Sequence, residues 1–64
     1  MRGTVKFFNT TKGFGFIKED GSEAEHFVHV SNVTNGTGTL AEGQTVEFEI
    51  REGRNGKMEA YDVR

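Results

Sequence analysis

Lys12-Gly13-Phe14-Gly15-Phe16-Ile17 alternates in the opposite sense to a core strand. Along an extended chain successive side chains point to opposite faces, so Lys12, Phe14 and Phe16 share one face while Gly13, Gly15 and Ile17 share the other. The first face carries two large rings and a cation; the second has one aliphatic to bury. Packing the rings inside would take Lys12 with them, and an unpaired lysine resists burial. Phe14 and Phe16 are therefore expected on the outside of a sheet. Glycine in a strand costs stability and marks a tight bend or a close backbone approach, so Gly13 and Gly15 predict strong curvature beneath those rings. Wetted rings beside a lysine suit nucleotides. Each base has an apolar face, stacking it on an aromatic side chain stabilises by about 1–3 kcal/mol, and the ammonium complements phosphate.

Outward from this stretch, residues 3–9 (Gly-Thr-Val-Lys-Phe-Phe-Asn) read as the preceding strand and Asn9-Thr10-Thr11 as the turn between the two. Strict alternation puts Val5 and Phe7 inward and Lys6 and Phe8 outward; a bend or bulge near Asn9 would be needed to bring both phenylalanines to the outer face. The second strand ends at Glu19-Asp20-Gly21-Ser22, where Asp-Gly signals a tight turn, and a third covers residues 25–30. Val28 is its core residue, with His26 and Val30 on the same face. Phe27 and His29 then join Phe14 and Phe16 outside, so the aromatic face spans two adjacent strands.

Residues 31–43 form a long polar loop containing Asn35-Gly36-Thr37-Gly38, with Val33 and Leu40 as its anchors to the core. Residues 44–51 alternate well, Val46, Phe48 and Ile50 inward and Glu47, Glu49 and Arg51 outward. A turn over residues 52–56 leads to a last strand over residues 57–63, in which either Met58 and Ala60 or Tyr61 and Val63 face the core. Five short strands with no helical period predict an all-β fold, a small barrel.

Sixty-four residues are expected to make one domain, spanning 1–64, with a small core. A chain of this size buries only about 60% of its unfolded surface, and its stability should be on the order of 3–10 kcal/mol. Placing large aromatics on the surface of so marginal a domain favours a functional reason for them. The chain has no cysteine, hence no disulfide or thiolate metal site. It shows no basic-plus-apolar leader and no long apolar run, which predicts a soluble, cytoplasmic protein starting at an unprocessed Met1, with no membrane partner. A net charge of −2 disfavours a protein that grips duplex nucleic acid by bulk electrostatics. The charge is unevenly spread: residues 1–18 hold Arg2, Lys6, Lys12 and Lys18 with no acid, whereas residues 19–64 hold four bases and ten acids. The positive end coincides with the aromatics.

At Lys12-Gly13-Phe14-Gly15-Phe16-Ile17 and Phe27-Val28-His29 the sequence closely resembles the two ribonucleoprotein motifs of the cold-shock domain. With Lys6-Phe7-Phe8-Asn9 and Leu40-Ala41-Glu42-Gly43-Gln44 the likeness covers essentially the whole chain. RNA-recognition motif domains share the first motif, but they are longer, contain two helices and carry an aromatic where Glu19 stands. The resemblance implies a five-stranded antiparallel OB-fold barrel, monomeric, that binds single-stranded RNA or DNA, often pyrimidine-rich, and acts as an RNA chaperone without a cofactor or a small-molecule substrate.

Carried over by position, Phe14, Phe16, Phe27 and His29 are stacking platforms, and Lys6 and Lys12 contact phosphate or base edges. Apart from that transfer, Lys18 or Arg54 is a further candidate cation for phosphate. Phe7 stands at a position usually held by a stacking tryptophan, against the plain alternation, and the resemblance is followed there. Phe8 and Asn9 of the same segment are counted with the binding face. The chain also departs from the family pattern. His26 replaces an aliphatic and is expected at the barrel rim, partly wet. Val30 stands where a further stacking phenylalanine is usual, and the loop after Ser31 lacks its customary aromatic, which predicts a shorter footprint and weaker affinity. Lys57 stands where proline is common, and the last hairpin is one residue longer.

Catalysis finds no support in the residues, since no nucleophile has both a base and an orienting third group. His26 and His29, three apart on one strand, point to opposite faces and do not close readily on one metal ion. The competing reading is a small OB-type protein-interaction module, in which Phe14, Phe16 and Phe27 form an apolar patch for another chain. The glycine spacing and the surrounding lysines are not required for that role.

Overall fold

A computed structural model describes residues 1–53 and 58–64. The expectations for Arg54, for the turn through residue 56 and for Lys57 lie outside the described residues. Among the described residues six strands are present: β1 (Arg2–Asn9), β2 (Phe14–Glu19), β3 (Glu25–His29), β4 (Thr45–Glu47), β5 (Glu49–Glu52) and β6 (Met58–Tyr61). A single 3-10 turn, Val30–Asn32, follows β3. No helix among the described residues is long and apolar enough to cross a membrane.

The strands form one sheet in the order β4-β1-β2-β3-β6-β5. Its two edges, β4 and β5, are consecutive in the chain and separated only by Phe48. The sheet therefore curls on itself into a barrel, with the 45–52 segment pairing with β1 by its first half and with β6 by its second. At the break the Phe48 N–H donates to the Met1 carbonyl at 2.8 Å, and the Met1 ammonium donates to the Phe48 carbonyl at 2.9 Å. This bend is why the single strand expected over residues 44–51 appears as two, and why six strands stand where five were expected.

The all-antiparallel expectation fails at one pair: β3 and β6 run parallel. Five chain segments closed into a ring cannot all alternate in direction, so one neighbouring pair must run the same way. The long connection from β3 to β6 supplies the crossover that a parallel pair requires.

Val5, Ile17, Val28, Leu40, Val46, Phe48, Ala60 and Val63 fill the interior, with Val33 and Ile50 packed against them. Val5, Ile17, Val28, Val46, Phe48 and Ile50 thus stand inward as read, Phe7 and Val30 are not among the core residues, and both loop anchors reach the core. The last strand resolves into neither of the two expected alternations. Ala60 and Val63 are both buried while Met58 is exposed. Asp62 adopts a φ of 51°, a left-handed conformation that short polar residues such as aspartate tolerate better than most. It resets the side-chain direction after β6 and turns Val63 inward, where it bridges to Val33.

Candidate nucleic-acid interface

The outer face of β1, β2 and β3 carries four phenylalanines in mutual contact. Across β2 and β3, Phe16 lies opposite Phe27 and Phe14 opposite His29. Phe14 and Phe27 stack with centroids 5.8 Å apart and planes inclined by 21°. Phe16 meets Phe27 edge-on at 5.9 Å and Phe14 edge-on at 6.3 Å. Phe7 extends the cluster through an edge contact with Phe14 at 6.0 Å. Edge-to-face and offset pairs at these separations hold rings in fixed orientations. The result is a firm apolar surface that remains partly open to solvent, Phe7 most of all at 39% exposure.

Phe7 reaches this face because β1 contains a bulge. Val5 pairs with Ile17, but the next registered pair is Phe7 with Phe16, leaving Lys6 as the extra residue. One extra residue reverses the alternation. Val5 therefore points into the barrel, Phe7 out to the aromatic cluster, and Phe8 back against the core. The plain alternation, with Phe7 inward and Phe8 outward, is corrected on both counts, and the irregularity lies at Lys6 rather than near Asn9. Phe8 is not part of the ring cluster.

Beneath the rings the backbones of β1 and β2 come unusually close at Gly15. A Cβ there would lie 2.2 Å from the Phe7 carbonyl oxygen and 2.8 Å from the Phe8 Cα, inside any permissible contact. Gly13 has a φ of +75°, which a turn entering β2 needs and which side-chain-bearing residues rarely adopt. Asn9 holds this turn from the other side. Its side-chain oxygen accepts from the Lys12 N–H at 2.9 Å, and its carbonyl accepts from the Gly13 N–H at 2.7 Å. The Asn9 amide oxygen thus serves the turn, and the turn delivers Lys12 beside the rings, exposed and without an ion pair among the described residues.

Lys6 and Lys18 are engaged. Lys6 donates to Glu25 at 2.6 Å, and that hydrogen bond, reinforced by the carboxylate's charge, holds its ammonium above the usual lysine pKa of 10.5. Lys18 donates to the Ser22 carbonyl at 2.7 Å. His29 is exposed; its Nδ1 accepts from the Ser31 N–H at 3.1 Å and lies 2.8 Å from the Ser31 Oγ. A backbone N–H can only donate, so the neutral ring carries its proton on Nε2.

His26 is buried rather than partly wet. It is 7% exposed, packs on Phe48 with ring centroids 5.7 Å apart, and places Nε2 3.0 Å from Glu19 Oε1. Glu19 closes the rim over it and satisfies the polar atom that an aliphatic at this position would not bring. The residue pattern alone does not mark this pair; the one signal for it is the tight turn at Asp20-Gly21, which folds the two residues toward one another.

Comparison with known proteins gives one consistent result. The model of the 'Cold-shock' DNA-binding domain matches residues 1–64. "Cold shock-like protein CspE" of Escherichia coli (strain K12) is 52% identical over 61 residues, covering 94% of this chain and 88% of that protein. "Cold shock-like protein CspA" of Vibrio cholerae is 49% identical over 61 residues, covering 94% and 87%. "Glycine-rich protein 2" of Nicotiana sylvestris is 49% identical over 63 residues, but this chain, 97% covered, spans only 29% of its length.

Proposed function

The chain belongs to the cold-shock domain family, and on that premise we propose that it binds unpaired RNA and DNA by stacking bases on Phe7, Phe14, Phe16 and Phe27. The observation that carries this reading is the four-ring cluster on the outer face of β1, β2 and β3, raised over the close approach at Gly15. Stacking supplies most of the affinity, at about 1–3 kcal/mol per base. Lys12, and Lys6 once released from Glu25, neutralise phosphates at the rim, and His29 adds a further surface at the end of β3. Phe8 supports the rings from the core side, and Asn9 acts by shaping the turn.

Binding is passive and needs no cofactor. A strand captured on the rings is withheld from base pairing, so structured RNA shifts toward its open form by mass action. This is RNA chaperone activity in its simplest form, carried out by residues 1–64 as a single monomeric domain in the cytoplasm. Duplexes bind poorly because their bases already stack on one another. Pyrimidine-rich strands are preferred, since unpaired pyrimidines give up the least stacking of their own on binding. With Val30 in place of a ring and no aromatic in the 31–43 loop, the footprint is short.

Equilibrium binding of a labelled pyrimidine-rich single strand, competed with unlabelled single strand or duplex, tests this. Competition by the single strand alone is expected. If neither competes and Phe16→Ala instead changes the protein's self-association, the cluster is a protein-docking patch and the reading fails.

A further inference from the structure

The outer face of the sheet continues beyond Phe27. Its registered neighbour on β6 is Glu59, and the neighbour of Glu59 on β5 is Arg51. A single row thus runs from Phe7 through Phe16, Phe27 and Glu59 to Arg51. Arg51 is fixed by three partners. Its Nε donates to Glu59 Oε1 at 2.9 Å, its Nη2 donates to Asn32 Oδ1 at 3.2 Å, and its Cζ lies over the Tyr61 ring, 4.9 Å from the centroid. Asn32 lies in the turn that starts directly after His29, so the Arg51–Tyr61 unit adjoins the aromatic strand at both Phe27 and His29. Tyr61 is also the one aromatic not already placed: the six phenylalanines belong to the outer cluster or pack within or against the core.

A surface arginine ordinarily samples many rotamers. Here a carboxylate, an amide and an aromatic ring hold one, and the side chain still exposes 52% of its surface. A planar guanidinium fixed over an aromatic ring is a preorganised platform: it stacks on bases, and its remaining N–H groups reach phosphate. Pairing with Arg51 also neutralises Glu59, whose carboxylate would otherwise repel a phosphate chain arriving from Phe27.

We propose that Arg51, seated on Tyr61, forms a further nucleotide subsite that takes one more base and its phosphate from a single strand already held on the phenylalanine cluster. This rests on the reading of that cluster as the binding face. The subsite continues the row past Phe27 toward β5 and abuts the Val30–Asn32 turn through Asn32, so it lengthens the footprint along the β6 and β5 side of the sheet.

Tyr61 is the chain's one tyrosine and there is no tryptophan, so tyrosine emission reports on this subsite alone. Oligothymidylates of increasing length, from about four nucleotides upward, are titrated while tyrosine emission and phenylalanine ring resonances are followed together. The shortest strands should shift the phenylalanines and leave the tyrosine unchanged, and longer strands should quench it. Arg51→Gln, an exposed change checked for folding by circular dichroism, should weaken binding of the longer strands about 5- to 10-fold, the low end of what one stacked base supplies. The subsite is overturned if long strands shift the phenylalanines while tyrosine emission and the Arg51→Gln affinity stay at their starting values. A chain in which neither ring type responds overturns the reading of the whole face, and the subsite with it.

Discussion

Gly15→Ala isolates the feature that lifts the rings clear of the barrel. The φ of Gly15 lies outside the left-handed region, so alanine meets no backbone objection and the cost is purely steric. The added methyl would fall 2.2 Å from the Phe7 carbonyl oxygen, 2.7 Å from the Phe8 Cδ1 and 2.8 Å from the Phe8 Cα. Two of these are backbone atoms of the paired strand, so relief requires β1 and β2 to separate at the Phe8–Gly15 pair. Overpacking of this kind costs about 1–3 kcal/mol or more, and the lower chain entropy of alanine returns about 0.5–1 kcal/mol. Because two of the atoms struck are backbone, the upper end of that cost applies, and a net loss of about 2 kcal/mol follows, which in a domain of this size lowers Tm by about 8–16 °C. Gly36→Ala is the control. Nothing lies within 4 Å of its Cβ, and its φ of +90° charges only backbone strain, about 1 kcal/mol. Thermal unfolding followed by circular dichroism separates the two. A Gly15→Ala protein melting within about 3 °C of the parent would refute the close-approach argument.

Phe14→Ala and Phe16→Ala should each weaken single-strand binding by about 1–3 kcal/mol, roughly 5- to 150-fold, in an anisotropy titration, with the fold retained by circular dichroism. Glu25→Gln should free Lys6 for phosphate, tightening binding at low salt by up to about 5-fold and steepening the salt dependence by about 0.7 in log–log slope. For the parent, that slope should correspond to about two to four released ions at roughly 0.7 each, measured by repeating the titration across salt concentrations. Because Glu25 raises the Lys6 pKa, the stabilisation from this pair is present below pH 10.5 and is lost as pH rises through the higher folded-state value. An NMR titration of the Lys6 Nζ should show its midpoint falling in Glu25→Gln. Phe48→Ala should cost about 3–5 kcal/mol and leave the chain close to unfolded at 37 °C, as read by denaturant titration.

Much of this architecture is legible in the sequence because period-two patterning survives wherever a strand is straight. The inverted stretch from Lys12 to Ile17 shows which side of β2 is wet, and Val28, Val46 and Phe48 stand inward as alternation requires. It fails where the backbone breaks its own period. The bulge at Lys6 exchanges Phe7 and Phe8 and leaves no mark in the residue pattern; only the resemblance to a known family put Phe7 outside. Alternation runs unbroken through Val46, Phe48 and Ile50, so nothing reveals that the segment changes partner at Phe48. The left-handed Asp62 resets Val63 in the same unannounced way. Pairings between side chains distant in sequence, such as Lys6 with Glu25 or Arg51 with Asn32, follow from how the strands and turns are brought together when the sheet closes, which local pattern does not encode.

Ring-proton NMR of the phenylalanines during titration with a pyrimidine-rich single strand tests the central claim most directly. Phe7, Phe14, Phe16 and Phe27 should move together as bases stack on them, while the fully buried Phe48 stays in place and an equal amount of duplex moves none of the outer four. Outer rings that hold their positions under a saturating single strand, or that respond equally to duplex, would contradict the account.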